Sequence, residues 1–413
     1  MALSTPPQLK VLINGAGIAG SCLAYWLTRT RLNASITVLE RSPTPRVTGQ
    51  SIEIRGTAVS IVDKMNLLPE VLARNTTEQG TRFVNASNKI IAEFGKGEAF
   101  SSEYEILRAD LCGIFLDATR NAPNVQYKYG DHVTSISQTS DKVNVQFHSG
   151  ATDSFDLIVG ADGSTSRIRS MVLSDEAQKN CYNFIGQYIA YFSIPRIPSD
   201  TNHWYWYTVP KGLALMLRPH RNEKTVGCYM GVTMPAHGHR DPAAEKAMEG
   251  GPQAQKQFLT EYFKDLGWQA QRILKGMHTS DDFYMSRSAY VNLPTWTNHR
   301  AVLIGDAAHA TFGSGTTLAV QGAYYLAGEL GKVRRSEDVP EALKRYEEVF
   351  RPVQAPYATL PSGFPQLGFP QTRWGIRLRD AIAWAVAKSK VYKLLPSDKP
   401  DESQLPVYEW TGA

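Results

Sequence analysis

The sequence predicts an α/β fold: a Rossmann-like dinucleotide-binding domain, interrupted by an antiparallel-sheet domain and followed by a C-terminal helix. Three observations predict it. Gly15, Gly17 and Gly20 form a GxGxxG run that directly follows a strand-like apolar stretch and opens a helical one. From about Tyr182 the chain becomes rich in aromatic and β-branched residues separated by turn residues. Near Ala301 the buried-strand pattern of the first domain returns.

Residues 9–14 read as a buried strand, 18–30 as a helix and 35–39 as a second strand ending at Glu40. This unit of about 30 residues has the length of a βαβ motif. Residues 57–65 and 108–119 carry helical patterns, 142–147 alternates as a strand, and 155–159 is a buried strand ending in GADG. Residues 189–194, 203–208, 214–217 and 225–232 read as strands of an antiparallel sheet, and a charged helical stretch covers 243–266. Residues 301–304 return to the first domain, so its halves span 1–180 and 286–360 with the sheet domain at 181–285. PSGFPQLGFP, at 361–370, reads as a linker to a helix within 371–396, whose apolar stripe contains Leu378, Ile382 and Val386. Lys388, Lys390 and Lys393 also suit a membrane-surface helix, but docking on the body is the preferred reading, with the last residues extended.

A chain of 413 residues exceeds one simple core. Its net charge of +5 is spread along the sequence and leaves no nucleic-acid footprint. Cys22, Cys112, Cys181 and Cys228 lie far apart, which predicts reduced thiols and a cytoplasmic location. The apolar run 11–27 could pass for a signal-peptide core, but its spaced glycines and Asn14 favour strand, turn and helix. No stretch reaches the roughly 20 apolar residues of a membrane span, so no stable membrane insertion is expected.

The three fingerprint glycines answer to three physical demands, which are the tight turn, backbone approach to a pyrophosphate, and close helix–strand packing. The helix N-terminus offers free N–H groups to the phosphates. Glu40 lies where a carboxylate accepts hydrogen bonds from ribose hydroxyls and repels a 2′-phosphate. The dinucleotide is therefore FAD or NAD rather than NADP.

Three further stretches choose between them. ILRADL (106–111), VGADGSTSRIR (159–169) and LIGDAAH (303–309) resemble, in order and separation, three motifs of single-component FAD-dependent monooxygenases. The resemblance covers nearly the whole chain and is to the para-hydroxybenzoate-hydroxylase-like family. Within it, the likeness is nearest to tetracycline-inactivating and fungal natural-product monooxygenases, with SIEIRGTAVSIVDKMNLL (51–68) as looser support. It implies an FAD-binding Rossmann-like domain with a substrate-binding sheet, and FAD held tightly without a covalent bond. NADPH or NADH would deliver hydride, and one oxygen atom of O2 would enter an aromatic or polycyclic small molecule by hydroxylation or epoxidation. By the same resemblance Arg108 reaches the FAD chain and Asp306 its ribityl–pyrophosphate region, while Asp162 helps tie the two halves together. Arg41, Arg46 and Gly49 match positions near the adenosine end, and Ala19, Gly315 and Ala319 complete the cofactor-binding set. One departure stands out. Ala310-Thr-Phe-Gly-Ser-Gly315 follows GDAAH directly, shorter than the family's loop and without its proline. That motivates an alternative reading, an FAD-dependent oxidoreductase or cyclase without oxygen insertion.

In 203–207, HWYWY, strand alternation puts Trp204 and Trp206 on one face and Tyr205 and Tyr207 on the other. Trp204 and Trp206 are the expected substrate wall, with Met216 and Met230 as adaptable neighbours. No catalytic residue is assigned. His309, beside Asp306, is the only acid–base candidate and reads rather as structural. His237 and His239 lack convergent partners, so no metal is expected. A monomer or weak dimer is the expected state.

Overall fold

The computed structural model describes residues 9–45, 49–98, 101–394 and 402–411. Arg46 lies outside them. At the centre is a six-stranded sheet in the order Thr297–Asn298, Ala301–Leu303, Leu157–Gly160, Leu9–Asn14, Ala34–Glu40, Val125–Tyr129. All its pairings are parallel except the short edge strand Thr297–Asn298. Its central strands are runs of Val, Ile and Leu because helices and loops cover both faces.

The carboxyl ends of these strands form the site. The ladder continues one step past three strands: Gly15 N–H donates to Leu39 O at 2.7 Å, Ala161 N–H to Asn14 O at 2.9 Å, and Ile304 N–H to Gly160 O at 2.9 Å. Three segments distant in sequence thus emerge side by side at one edge, where open α/β sheets bind ligands. The helix Ile18–Thr28 leaves that edge and packs against the long helix Gly315–Leu330, both almost wholly buried.

The second sheet has seven strands, in the order Tyr284–Val291, Tyr182–Pro195, Thr225–Thr233, Leu213–Pro219, Trp204–Val209, Gly80–Val84, Ile90–Gly95. The last two form a hairpin drawn from early in the chain, which joins Trp204–Val209 in parallel. Sequence reading gave no sign of that pairing. The helices Pro242–Glu249, Gly251–Phe263 and Ala270–Thr279 bury one face of this sheet. The other face turns toward the nucleotide-binding sheet.

The C-terminal helix is Arg373–Ser389, capped by Thr372 Oγ1, which accepts from Gly375 N–H at 3.0 Å. It docks on the sheet with only one residue of the stripe expected from sequence, Val386. Ala383, Val386 and Ala387 face Phe83 and Phe94, while Leu378 and Ile382 stand exposed. Small side chains let the helix approach the aromatic surface closely, so the bulkier stripe turns outward. The chain end folds back on the first domain: Trp410 lies 4.5 Å from Trp26 between ring centroids, and Thr411 N–H donates to Arg29 O at 2.6 Å.

Gly20 shows how little room the strand–helix turn leaves. A Cβ there would sit 1.9 Å from the carbonyl oxygen of Gly15. Gly20→Ala should therefore lower unfolding free energy by about 1–3 kcal/mol, the usual overpacking cost, and reduce flavin content together with melting temperature. Unchanged melting and flavin absorbance would contradict this packing.

Candidate active site

At the first strand end, Gly15 adopts φ +119°, and a Cβ there would lie 2.4 Å from Ala161 O. Only glycine lets the two loops approach so closely. At Gly17, by contrast, a Cβ would meet nothing within 4 Å. This glycine caps the helix Ile18–Thr28, with no capping side chain and no acid in the first turn. The helix end is therefore left open to an external anion, the arrangement that suits a pyrophosphate. Glu40 accepts from Ala16 N–H at 3.1 Å and Ser42 N–H at 2.9 Å. These bonds fix its carboxylate beside the glycine loop with acceptor capacity to spare for ribose hydroxyls.

Asp306 stands at the end of the returning strand. Gly305 before it has φ +56°, and a Cβ there would come within 2.9 Å of Ala19 Cβ and 3.8 Å of Ala319 Cβ. Ala19 and Ala319 are thus the small residues that let two helices close around this turn. Gly315 opens the long helix so near that a Cβ would meet Asp306 Oδ1 at 3.2 Å. Among the described residues the Asp306 carboxylate accepts no hydrogen bond. Burial raises its pKa, and the Arg108 guanidinium opposes that shift. Arg108 likewise donates no side-chain hydrogen bond to the described residues, and a Cβ on Gly49 would lie 3.1 Å from its Cβ. An unsatisfied acceptor and an unsatisfied cation beside a bare helix end match a ligand bearing both hydroxyls and phosphates. The residues present fit FAD.

The DG segment has a different internal logic from the expected one. Asp162 accepts from Arg167 N–H at 2.8 Å, Ile168 N–H at 3.2 Å and Ser166 Oγ–H at 2.5 Å. Its carboxylate caps the helix Arg167–Val172. Arg169, almost fully buried, helps join the two halves. It donates to Ala307 O at 3.0 Å and to Ser164 O at 2.9 Å. Arg169 closes the VGADGSTSRIR segment, so the motif contained it, but nothing in the spacing told it apart from Arg167. Arg41 is exposed next to Glu40.

Across the cleft, Trp204, Trp206 and Met216 share the face of the second sheet that looks toward these strand ends. Trp204 and Trp206 lie 4.8 Å apart between centroids, and Phe369 stacks on Trp206 at 5.7 Å. Tyr191 and Tyr229 extend the wall. Tyr229 OH accepts from Ser51 N–H at 3.1 Å, and Tyr284 bonds Gln50, so the wall is tied to the nucleotide-binding half. Trp204 Nε1 is buried without a hydrogen-bond partner among the described residues. Met230 does not belong here. It pairs with Leu215, one residue out of phase with Met216, and lies in the helix-covered core on the opposite face. Two residues chosen by type rather than by strand register ended on opposite sides.

Behind Trp204 sits Arg218, its guanidinium carbon 3.9 Å from the ring centroid. It meets Glu78 at 2.7 Å, Glu53 at 3.3 Å and also Glu105. Burial raises the carboxyl pKa of Glu78 to about 8, with Glu105 and Glu53 adding to the shift and Arg218 opposing it. Sequence reading missed this cluster, because its members lie on four separate segments.

His309 points away from the cleft. It is 2% exposed, with Trp296 at 5.1 Å and Phe350 at 5.5 Å between ring centroids, and neither ring nitrogen has a partner among the described residues. Burial lowers its pKa to about 4. A neutral imidazole packed among aromatic rings is structural, and the acid–base candidacy falls.

This geometry defines an FAD-binding protein, and the relatives agree. The family described as FAD binding domain matches residues 8–358, so the chain belongs to that family. It is an FAD-dependent monooxygenase. The FAD-dependent monooxygenase asL4 of Sarocladium schorii is 33% identical over 408 residues, covering 92% of this chain and 93% of that protein. The flavin-dependent monooxygenase eupH of Phoma sp is 34% identical over 425 residues, covering 96% of each. The crystal structure of tetracycline destructase Tet(51) superposes with a TM-score of 0.77 at 27% identity, covering 97% of this chain and 100% of that one. These relatives favour oxygen insertion over the alternative raised by the short loop after His309.

The pKa of His309 has a consequence for stability. Its folded value, about 4, lies below the ordinary 6.5, so its contribution is present above pH 6.5 and is lost as pH falls toward 4. Relative to His309→Phe, the wild type should lose on the order of 3 kcal/mol across that window. Denaturant titrations of both proteins at several pH values check this, and parallel pH profiles would contradict it.

Proposed function

We propose that this enzyme uses FAD, with NADPH or NADH as reductant, to place one oxygen atom of O2 into an aromatic or polycyclic small molecule of natural-product or xenobiotic metabolism. The observation that carries this reading is the wall formed by Trp204, Trp206 and Met216, facing the strand ends where FAD fits. Relatives named for tetracycline destruction and fungal monooxygenation support a ring-rich substrate.

When bound, flavin would supply the activation of O2 that side chains perform poorly. The chain's own residues bind and orient. The loop Gly15–Gly17 and its helix end would hold the pyrophosphate, Glu40 the adenosine ribose, Arg108 the phosphate oxygens, and Asp306 the ribityl hydroxyls. The N-terminus of Gly315–Leu330 would favour negative charge at the ring it faces. Trp204 and Trp206 press a flat substrate toward the ring and keep water out, and Trp204 Nε1 offers it a donor. Cys22, Cys181 and Cys228 form no disulfide among the described residues, which supports a reducing compartment such as the cytoplasm. The described residues contain no helix long and apolar enough to cross a membrane. We keep a monomer or weak dimer as the working state.

Purified protein should be yellow and should consume NAD(P)H faster when a suitable polycyclic phenol is added. Isotopically labelled O2 should leave one labelled atom in the product; label appearing only in peroxide or water would overturn the oxygenation. Glu40→Ala and Asp306→Ala should each weaken FAD binding by about tenfold or more, the loss expected for a charge-assisted hydrogen bond, as read by flavin fluorescence on dilution. Trp204→Ala should raise KM several-fold while leaving FAD affinity unchanged. A shift confined to FAD affinity would place Trp204 outside the substrate chamber.

A further inference from the structure

The C-terminal helix Arg373–Ser389 uses only one side to hold the body. Its opposite side is apolar and open. Trp374 is 71% exposed, Ile382 55% and Trp384 54%, and Leu378 also faces outward. At i, i+4 and i+8, Trp374, Leu378 and Ile382 form one stripe about 12 Å long, while Trp384 lies on the other side of Arg377 and Lys388 from it. Exposed apolar residues are ordinary when scattered, but a stripe of three large ones is not.

The charges around this band all have one sign. Arg377 and Lys388 are exposed along it, and neither makes an ion pair among the described residues. Arg373 is exposed at the start and Lys390 just past the end. The helix contains a single acid, Asp380, and Arg379 neutralises it at 2.7 Å. No carboxylate therefore faces outward with the tryptophans. An indole and aliphatic face bordered by unpaired cations is the composition of a helix lying in the headgroup region of a bilayer.

We propose that this outer face is a membrane-surface contact for anionic lipid. Trp374, Leu378 and Ile382 enter the headgroup boundary, while Arg377 and Lys388 at its edge meet lipid phosphates or carboxylates. The contact is peripheral and is separate from any membrane span. The inner side of the same helix rests on Phe83 and Phe94, and Phe83 lies 5.3 Å from Trp206. The contact would therefore hold the substrate wall near a membrane, where an apolar polycyclic compound concentrates. That last clause rests on the proposed function, whereas the lipid contact does not.

The test is flotation of the full flavin-loaded chain with extruded vesicles of phosphatidylcholine alone, or with about one quarter phosphatidylserine. The expected result is at least about tenfold stronger partition onto the anionic vesicles, weakened when salt rises to about 0.5 M. Combined Trp374→Ser, Leu378→Ser and Ile382→Ser substitutions should lower partition about tenfold. Arg377→Gln with Lys388→Gln should remove the preference for anionic lipid. Flavin absorbance and melting temperature should stay at wild-type values, because these side chains support neither. Wild-type protein that stays off both vesicles, or binds both equally, overturns the proposal. So does a concentration-dependent dimer in lipid-free sedimentation that the triple substitution abolishes, which would make the face a contact for a second copy.

Discussion

The site depends on backbone contact between loops far apart in sequence. Gly15 and Ala161 approach so closely that no side chain fits between them. The strand ladder sets that approach, and Arg169 reinforces it by gripping Ala307 O from the DG segment. Without this closure the glycine loop, Arg108 and Asp306 would be three separate features. With it, an open helix end, a cation and an acceptor converge on one cleft. Gly305, Ala19 and Ala319 serve the same end by keeping the two flanking helices close.

A second constraint fixes the cleft's other wall. Arg218 is buried among three carboxylates and stacks on Trp204. A buried charge with one partner removed is costly, so such clusters tolerate little displacement. Here the carboxylates come from the segment that leads into Arg108 and from its neighbours, while the guanidinium comes from the second sheet. The distance between substrate wall and nucleotide site is thereby set by ion pairs rather than by apolar sliding surfaces. The bonds from Ser51 and Gln50 to Tyr229 and Tyr284 act in the same direction.

Much of this was legible in the sequence. The GxGxxG run, Glu40 and the later GD segment carry local, fixed spacings, and the structure brings them to one edge. The alternation of HWYWY put Trp204 and Trp206 together correctly because strand period is a local property. Met230 failed for the complementary reason: its face depends on the register of strands brought together by the fold. Arg169 and Arg218 went unread because a buried arginine has no pattern of its own; the partners that tie each across the fold, Ala307 for Arg169 and Glu78 for Arg218, lie more than a hundred residues away. His309 reads as structural despite its place beside Asp306, and one helical turn carries it into the aromatic core. The C-terminal helix was found, but of its expected stripe only Val386 docks, since the body's aromatic surface selected alanines over Leu378 and Ile382.

The hairpin Gly80–Gly95 belongs, by chain order, with the nucleotide-binding half, yet it completes the edge of the other sheet. The halves are therefore interleaved rather than appended. An engineer who grafts a relative's sheet onto this scaffold, to change what it oxidises, must transplant that early hairpin as well. A chimera cut only at the obvious junctions would inherit mismatched edges along Trp204–Val209, the strand that bears the indole wall.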